Sequence, residues 1–135
     1  MSSGRHLIDP GELERCLDRP DVRVVDCRFD LGDPAAGRRA YEKEHIRGAV
    51  FADLDNDLSA PVGPDTGRHP LPSVEAVANT LARLGIDKST EVVVYDDGPG
   101  ALAARAWWLL RYLGHSRVRL LDGGIEAWKA DARPV

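Results

Sequence analysis

The chain has 135 residues, 43% of them hydrophobic, and a formal net charge of −4, which suits one globular domain with one core. That charge gives no general attraction to nucleic acid, and no apolar run approaches the roughly 20 residues that cross a bilayer. Met1 to His6 lacks the apolar stretch of a secretory signal, and Cys16 and Cys27, the only cysteines, have no CxxC spacing; a cytoplasmic domain with two reduced thiols is expected.

His6-Leu7-Ile8 reads as a short first strand. Asp9-Pro10-Gly11-Glu12 predicts a helix start, with Asp as N-cap, Pro at the first helical position and an acid three residues after the cap. Leu13, Cys16 and Leu17 give this helix its apolar stripe, and Arg19-Pro20 ends it. Val22 to Cys27 is a second strand, with Asp26-Cys27-Arg28 at its carboxyl end. A polar loop from Phe29 to Arg39 leads to a short helix, Ala40 to Ile46, on which Tyr41 and His45 share a face. Gly48 breaks it before a third strand, Ala49-Val50-Phe51. An acidic loop, Asp53 to Asp57, and the Pro/Gly-rich stretch Ala60 to Pro72 follow. Loops that long in a compact domain carry function or stay disordered. Ser73 starts the next helix, with Val74, Val77, Leu81 and Leu84 on its apolar face and Gly85 as its stop.

Val92 to Tyr95 is an apolar run without alternation, the pattern of a strand covered on both faces. Asp96-Asp97-Gly98-Pro99-Gly100 cannot continue it. Ala101 to Leu113 reads as a long helix, with Leu102, Arg105, Ala106, Leu109 and Leu113 spaced by three or four. A loop between a strand's carboxyl end and a helix's amino end aims backbone N–H groups at an anion or a thiolate. No cysteine stands there; Asp96 does. Arg117 to Leu121 is a last strand, Asp122-Gly123-Gly124 a tight turn, and Ile125 to Ala130 a terminal helix carrying Trp128. The alternation predicts an α/β domain with a parallel five-stranded sheet and helices on both faces. Ligands in such folds bind beyond the carboxyl ends of the strands, where Asp26-Cys27-Arg28, Asp53, Asp96-Asp97 and Asp122 fall.

Several segments together resemble a rhodanese domain. They are Val24-Val25-Asp26-Cys27-Arg28, His45-Ile46-Arg47-Gly48-Ala49-Val50, Gly67-Arg68-His69-Pro70-Leu71-Pro72, Val92 to Asp96, Trp107-Trp108, and Leu121 to Trp128. In order and spacing the chain is most similar to the N-terminal, non-catalytic domain of two-domain thiosulfate and 3-mercaptopyruvate sulfurtransferases. Active rhodanese domains carry a cysteine after the V-V-x-Y strand. It becomes a persulfide and passes sulfur to cyanide or a thiol. Asp96 holds that position here, and a carboxylate carries no transferable sulfur.

The resemblance implies that residues 1–135 form one rhodanese domain, the N-terminal half of a tandem protein whose second domain supplies the cysteine. Asp96, Asp97, Gly98 and Gly100 would be a vestigial active-site loop. Asp53 and His69 match residues that the mercaptopyruvate branch places in the active site, facing the partner domain's cysteine loop. Asp55 and Asp57 compete with Asp53 for that match. The partners implied are the second domain, a small sulfur donor and an acceptor, with no nucleic acid, membrane, metal or cofactor. An aspartate-phosphatase role for Asp96 is disfavoured, because those enzymes need a D-x-D arrangement. Arg28 is expected in a structural ion pair, and Cys27 as a small packed residue. His45 and Trp128 are expected in packing roles, and of Trp107 and Trp108 only one faces the core. The competing reading is a stand-alone, inactive rhodanese-like module for binding or regulation.

Overall fold

A computed structural model describes residues 6–135. Five strands form one parallel sheet in the order β1-β5-β4-β2-β3. They are β1 (Leu7–Ile8), β2 (Val22–Asp26), β3 (Val50–Phe51), β4 (Glu91–Tyr95) and β5 (Val118–Leu121). The helices are α1 (Pro10–Cys16), α2 (Ala36–Lys43), α3 (Val74–Arg83), α4 (Ala101–Tyr112) and α5 (Gly124–Ala130). β4 is central, pairing with β2 along Val22↔Glu91 to Asp26↔Tyr95 and with β5 on its other edge.

The unalternating run on β4 is explained by two apolar layers. Successive strand side chains point to opposite faces. Val92 and Val94 join a cluster with Leu84, Ala103, Ala106, Leu109 and Leu110, which covers the α3/α4 face. Val93 and Tyr95 join Leu13, Leu17, Ile125 and Trp128 on the α1/α5 face. Trp128 is fully buried, and its indole N–H donates to the Pro134 carbonyl at 2.7 Å.

The helix starts follow the capping chemistry. Asp9 accepts from the Glu12 N–H at 2.8 Å, and Ser73 accepts from the Ala76 N–H at 3.1 Å. Two expectations are corrected. The second helix spans Ala36–Lys43 rather than Ala40 to Ile46. Its end is set from a distance: Arg28 donates to the Glu44 carbonyl at 2.6 Å, and Glu44 adopts extended backbone. Its start needs Gly37, where a Cβ would lie 1.9 Å from the Arg28 carbonyl oxygen. His45, now beyond the helix, still stacks on Tyr41 at 4.0 Å and meets its carbonyl through Nδ1. The other correction is Val74. As the first residue of α3 it is 59% exposed, while Val77, Thr80 and Leu84 face inward.

The two tryptophans of α4 divide as their adjacency requires. Trp107 packs on the core, and Trp108 is exposed and stacked on Tyr112. Among the described residues no helix is long and apolar enough to cross a membrane.

Candidate functional site

The carboxyl ends of β2, β3, β4 and β5 form one rim, and the loop after β4 lies at its centre. Asp96 turns its side chain into that loop and is 2% exposed. One carboxylate oxygen accepts from the Gly98 N–H at 3.0 Å. The other accepts from the N–H groups of Leu102 and Ala103 at 3.0 and 2.9 Å. Leu102 and Ala103 lie in the first turn of α4, whose N-cap, Gly100, has no side chain to offer. Asp96 therefore does the work of an N-cap from four residues upstream, with its charge at the positive end of the helix dipole. The amide array expected to hold an anion holds one already, and it is covalently part of the chain. Asp97, Gly98 and Pro99 stand exposed beside it. The loop is braced by the turn before α5. The Ile125 N–H donates to the Asp96 carbonyl at 3.0 Å, and at Gly124 (φ +62) a Cβ would meet that same oxygen at 2.4 Å.

Beneath the rim, Asp26 and Arg28 form a buried ion pair with 2.7 Å between Oδ2 and Nη2. Asp26 also accepts from the Tyr95 hydroxyl at 2.7 Å, and that hydroxyl in turn accepts from the Ile46 N–H at 3.2 Å. Every group in this network has a partner, so Arg28 is structural, as expected. Burial and the Asp26 charge push the Tyr95 hydroxyl far above its ordinary pKa. Cys27 is 1% exposed. Burial, then the Asp26 and Asp96 charges, raise its thiol well above the ordinary 9.0. A thiol so placed has neither the access nor the ionisation that a nucleophile needs.

The expected Asp–His pair forms with a different aspartate. His69 Nε2 lies 3.1 Å from Asp55 Oδ1. The side chain of Asp53 turns instead to the Asn56 amide, and its backbone N–H donates to Asp57 Oδ2 at 2.8 Å. Asp57 is held from the far side by an ion pair with Arg83. Residues 53–58 thus fold into a tight turn closed by bonds from the Asp57 and Leu58 N–H groups to the Asp53 carbonyl. That turn spends Asp53 and Asp57 on itself and leaves Asp55 pointing at the histidine. The His69 ring also meets the Phe29 ring edge-on, centroids 5.9 Å apart. Asp53 and Asp55 both line a neighbouring open groove of about 380 Å³ with Arg38, Arg39 and Glu42.

Sequence reading missed one further residue. Arg105 of α4 donates to the carbonyls of Leu58, His69 and Pro70. Its spacing places it among the apolar positions of its helix. A cation at such a position needs acceptors, but the sequence does not say where they lie. Among the described residues no group of three or more His, Cys, Asp or Glu side chains is arranged to hold a metal ion.

The site can therefore orient an imidazole, and among the described residues it presents no accessible thiol. Comparison with known proteins gives the chain's relatives. The chain is 54% identical over 132 residues to a "Probable 3-mercaptopyruvate sulfurtransferase" of Pseudomonas aeruginosa, a match covering 96% of this chain and 46% of the relative. It is 35% identical over 136 residues to thiosulfate/3-mercaptopyruvate sulfurtransferase 1 of Arabidopsis thaliana, covering 100% of this chain and 35% of that protein. The structure of 3-mercaptopyruvate sulfurtransferase from Leishmania major superposes with a TM-score of 0.86 at 36% identity, over 95% of this chain and 35% of that one. The chain thus spans half or less of the length of these relatives. The model of the rhodanese-like domain matches residues 9–131, and with the parallel sheet and the rim just described, the chain belongs to the rhodanese-like domain family.

Proposed function

We propose that this domain is the non-catalytic half of a two-domain sulfurtransferase. In this reading a cysteine persulfide on a second rhodanese domain carries sulfane sulfur from thiosulfate or 3-mercaptopyruvate to cyanide or a thiol. This domain contributes His69, oriented by Asp55, to that site. The observation that carries the reading is the Asp96 carboxylate, which occupies the loop amides that would otherwise stabilise a thiolate. The names of the relatives and the share of their length that this chain covers support it.

The chemistry gives His69 a definite task. When a thiolate attacks the sulfur of 3-mercaptopyruvate, the carbon–sulfur bond breaks and its electron pair goes to carbon. The resulting enolate of pyruvate needs a proton. A carboxylate-oriented imidazole supplies one. Thiosulfate releases sulfite and makes no such demand.

Thiocyanate formation from each donor tests the reading. The 135-residue chain alone should form none. Joined to a cysteine-bearing rhodanese domain, it should support turnover, and His69→Ala should slow turnover of 3-mercaptopyruvate by about 10²–10⁴-fold, and turnover of thiosulfate much less. Turnover by the chain alone that disappears on Cys27→Ser would overturn the proposal.

A further inference from the structure

The stretch from Leu58 to Pro70 has no helix or strand of its own, so its buried carbonyls have no ladder partners and must find others. One side chain supplies donors to three of the loop's carbonyls. Arg105 sends Nε and Nη2 to the Leu58 carbonyl at 3.1 and 3.0 Å. Nη2 also reaches the carbonyls of His69 at 2.9 Å and Pro70 at 3.2 Å, and the Ser59 hydroxyl at 3.4 Å. The contacts fall on both ends of the loop. A backbone bond from the Ala60 N–H to the Pro70 carbonyl at 2.9 Å closes the same neck. Between these ends the loop is largely exposed, and few other contacts fix His69: Asp55 at its ring and Phe29 at its edge.

The helix that bears Arg105 is itself anchored at the rim, because Asp96 holds the N–H groups of Leu102 and Ala103 one turn earlier. One rigid helix therefore connects the Asp96 loop to the loop that carries His69. We propose that Arg105 is the positioning residue for His69, a latch that closes the Leu58–Pro70 loop and sets its imidazole against Asp55. Its planar fork is suited to several carbonyls at once; a lysine ammonium keeps the charge and loses the fork. On this account the Asp96 loop has kept a mechanical task in the absence of a nucleophile. The importance of that position for turnover rests on the proposed function above, but the positioning itself does not.

The test uses the 135-residue chain with Arg105→Met and Arg105→Lys, read by NMR and by trypsin. The wild type should show a nuclear Overhauser contact between the Phe29 and His69 rings and slow cleavage after the exposed Arg68. In Arg105→Met the ring contact should vanish, and cleavage after Arg68 and exchange of the Ala60 amide should each accelerate by about tenfold or more. The Leu102 and Ala103 amides should stay protected, which shows that the fold and the helix start are intact. Arg105→Lys should fall between the two; if the methionine variant does not fold, the lysine variant is judged by the same readouts. Ring contact, cleavage and exchange as in the wild type would overturn the proposal. In a protein joined to a cysteine-bearing domain, Arg105→Met should lower kcat for 3-mercaptopyruvate in the His69 background and add nothing to His69→Ala. A displaced ring with unchanged turnover would leave the latch standing and overturn the role of His69.

Discussion

Removing the Asp96 carboxylate gives the sharpest test of how the rim is built. Asp96→Ala strips the acceptor from three N–H groups. Gly98 is exposed and finds water, so its loss costs little. Leu102 and Ala103 lose a helix cap, which is worth about 0.5–2 kcal/mol. Ala103 is 2% exposed, and an orphaned buried amide adds about 1–3 kcal/mol. Together these give about 3 kcal/mol, a large share of a domain's usual stability of about 5–15 kcal/mol. At this chain length that corresponds to a fall in Tm of about 10 °C. Asp96→Asn should cost less, about 1–2 kcal/mol, because an amide oxygen in place of Oδ2 still serves Leu102 and Ala103 and only the Gly98 contact turns unfavourable. Urea denaturation with far-UV circular dichroism measures both. Wild type above asparagine above alanine is the expected order. Both variants within about 0.5 kcal/mol of wild type would refute the view that this carboxylate is the loop's own anion.

Three further outcomes follow from the same network. Arg28→Met should destabilise the domain by about 3–5 kcal/mol in the same urea measurement, because it leaves the fully buried Asp26 without its cation. In a protein carrying a cysteine-bearing second domain, Asp55→Asn should lower 3-mercaptopyruvate turnover, while Asp53→Asn should change it far less; the reverse order would return the histidine's partner role to Asp53. Burial raises the pKa of the Cys27 thiol above its ordinary 9.0 and of the Tyr95 hydroxyl above its ordinary 10.0. The folded state keeps protons that the unfolded chain releases, so this stability is full below pH 9.0 and declines as pH rises past it toward the folded values. The urea midpoint should hold up to about pH 9 and fall above it, and Cys27→Ala should flatten the first part of that fall.

The sheet was legible because its signal is local. A β-branched run on β4, punctuated by Gly and Pro, declares a strand covered on both faces. The caps at Asp9 and Ser73 lie within three residues of the groups they serve. What was not legible depends on contacts distant in sequence. The end of α2 is fixed by Arg28, 16 residues away from Glu44. The choice of Asp55 over Asp53 is made by a turn that Asp57 and Arg83 hold shut, the latter 26 residues beyond. Arg105 lies 47 residues from Leu58. Its place on an apolar-spaced helix face hid a role that only the folded loop makes visible. Charge pattern located the acids correctly, but the direction in which each one points is a property of the turn.

Three charged groups at the rim differ in what their surroundings leave free: Asp96, the Asp26–Arg28 pair and the His69–Asp55 pair. Asp96 is neutralised by amides and a helix end; Asp26 and Arg28 neutralise one another beneath the surface. Both arrangements are committed to holding the fold together. His69 differs. Its side chain is 21% exposed, its carboxylate partner is 41% exposed, and its backbone is held by a helix rather than by the reacting groups themselves. A group that must pick up and release a proton during turnover needs solvent or substrate on one side and a fixed partner on the other. Of these three, the His69–Asp55 pair has both. On the proposed reading, the sulfur-carrying step falls to another domain and proton handling to this one.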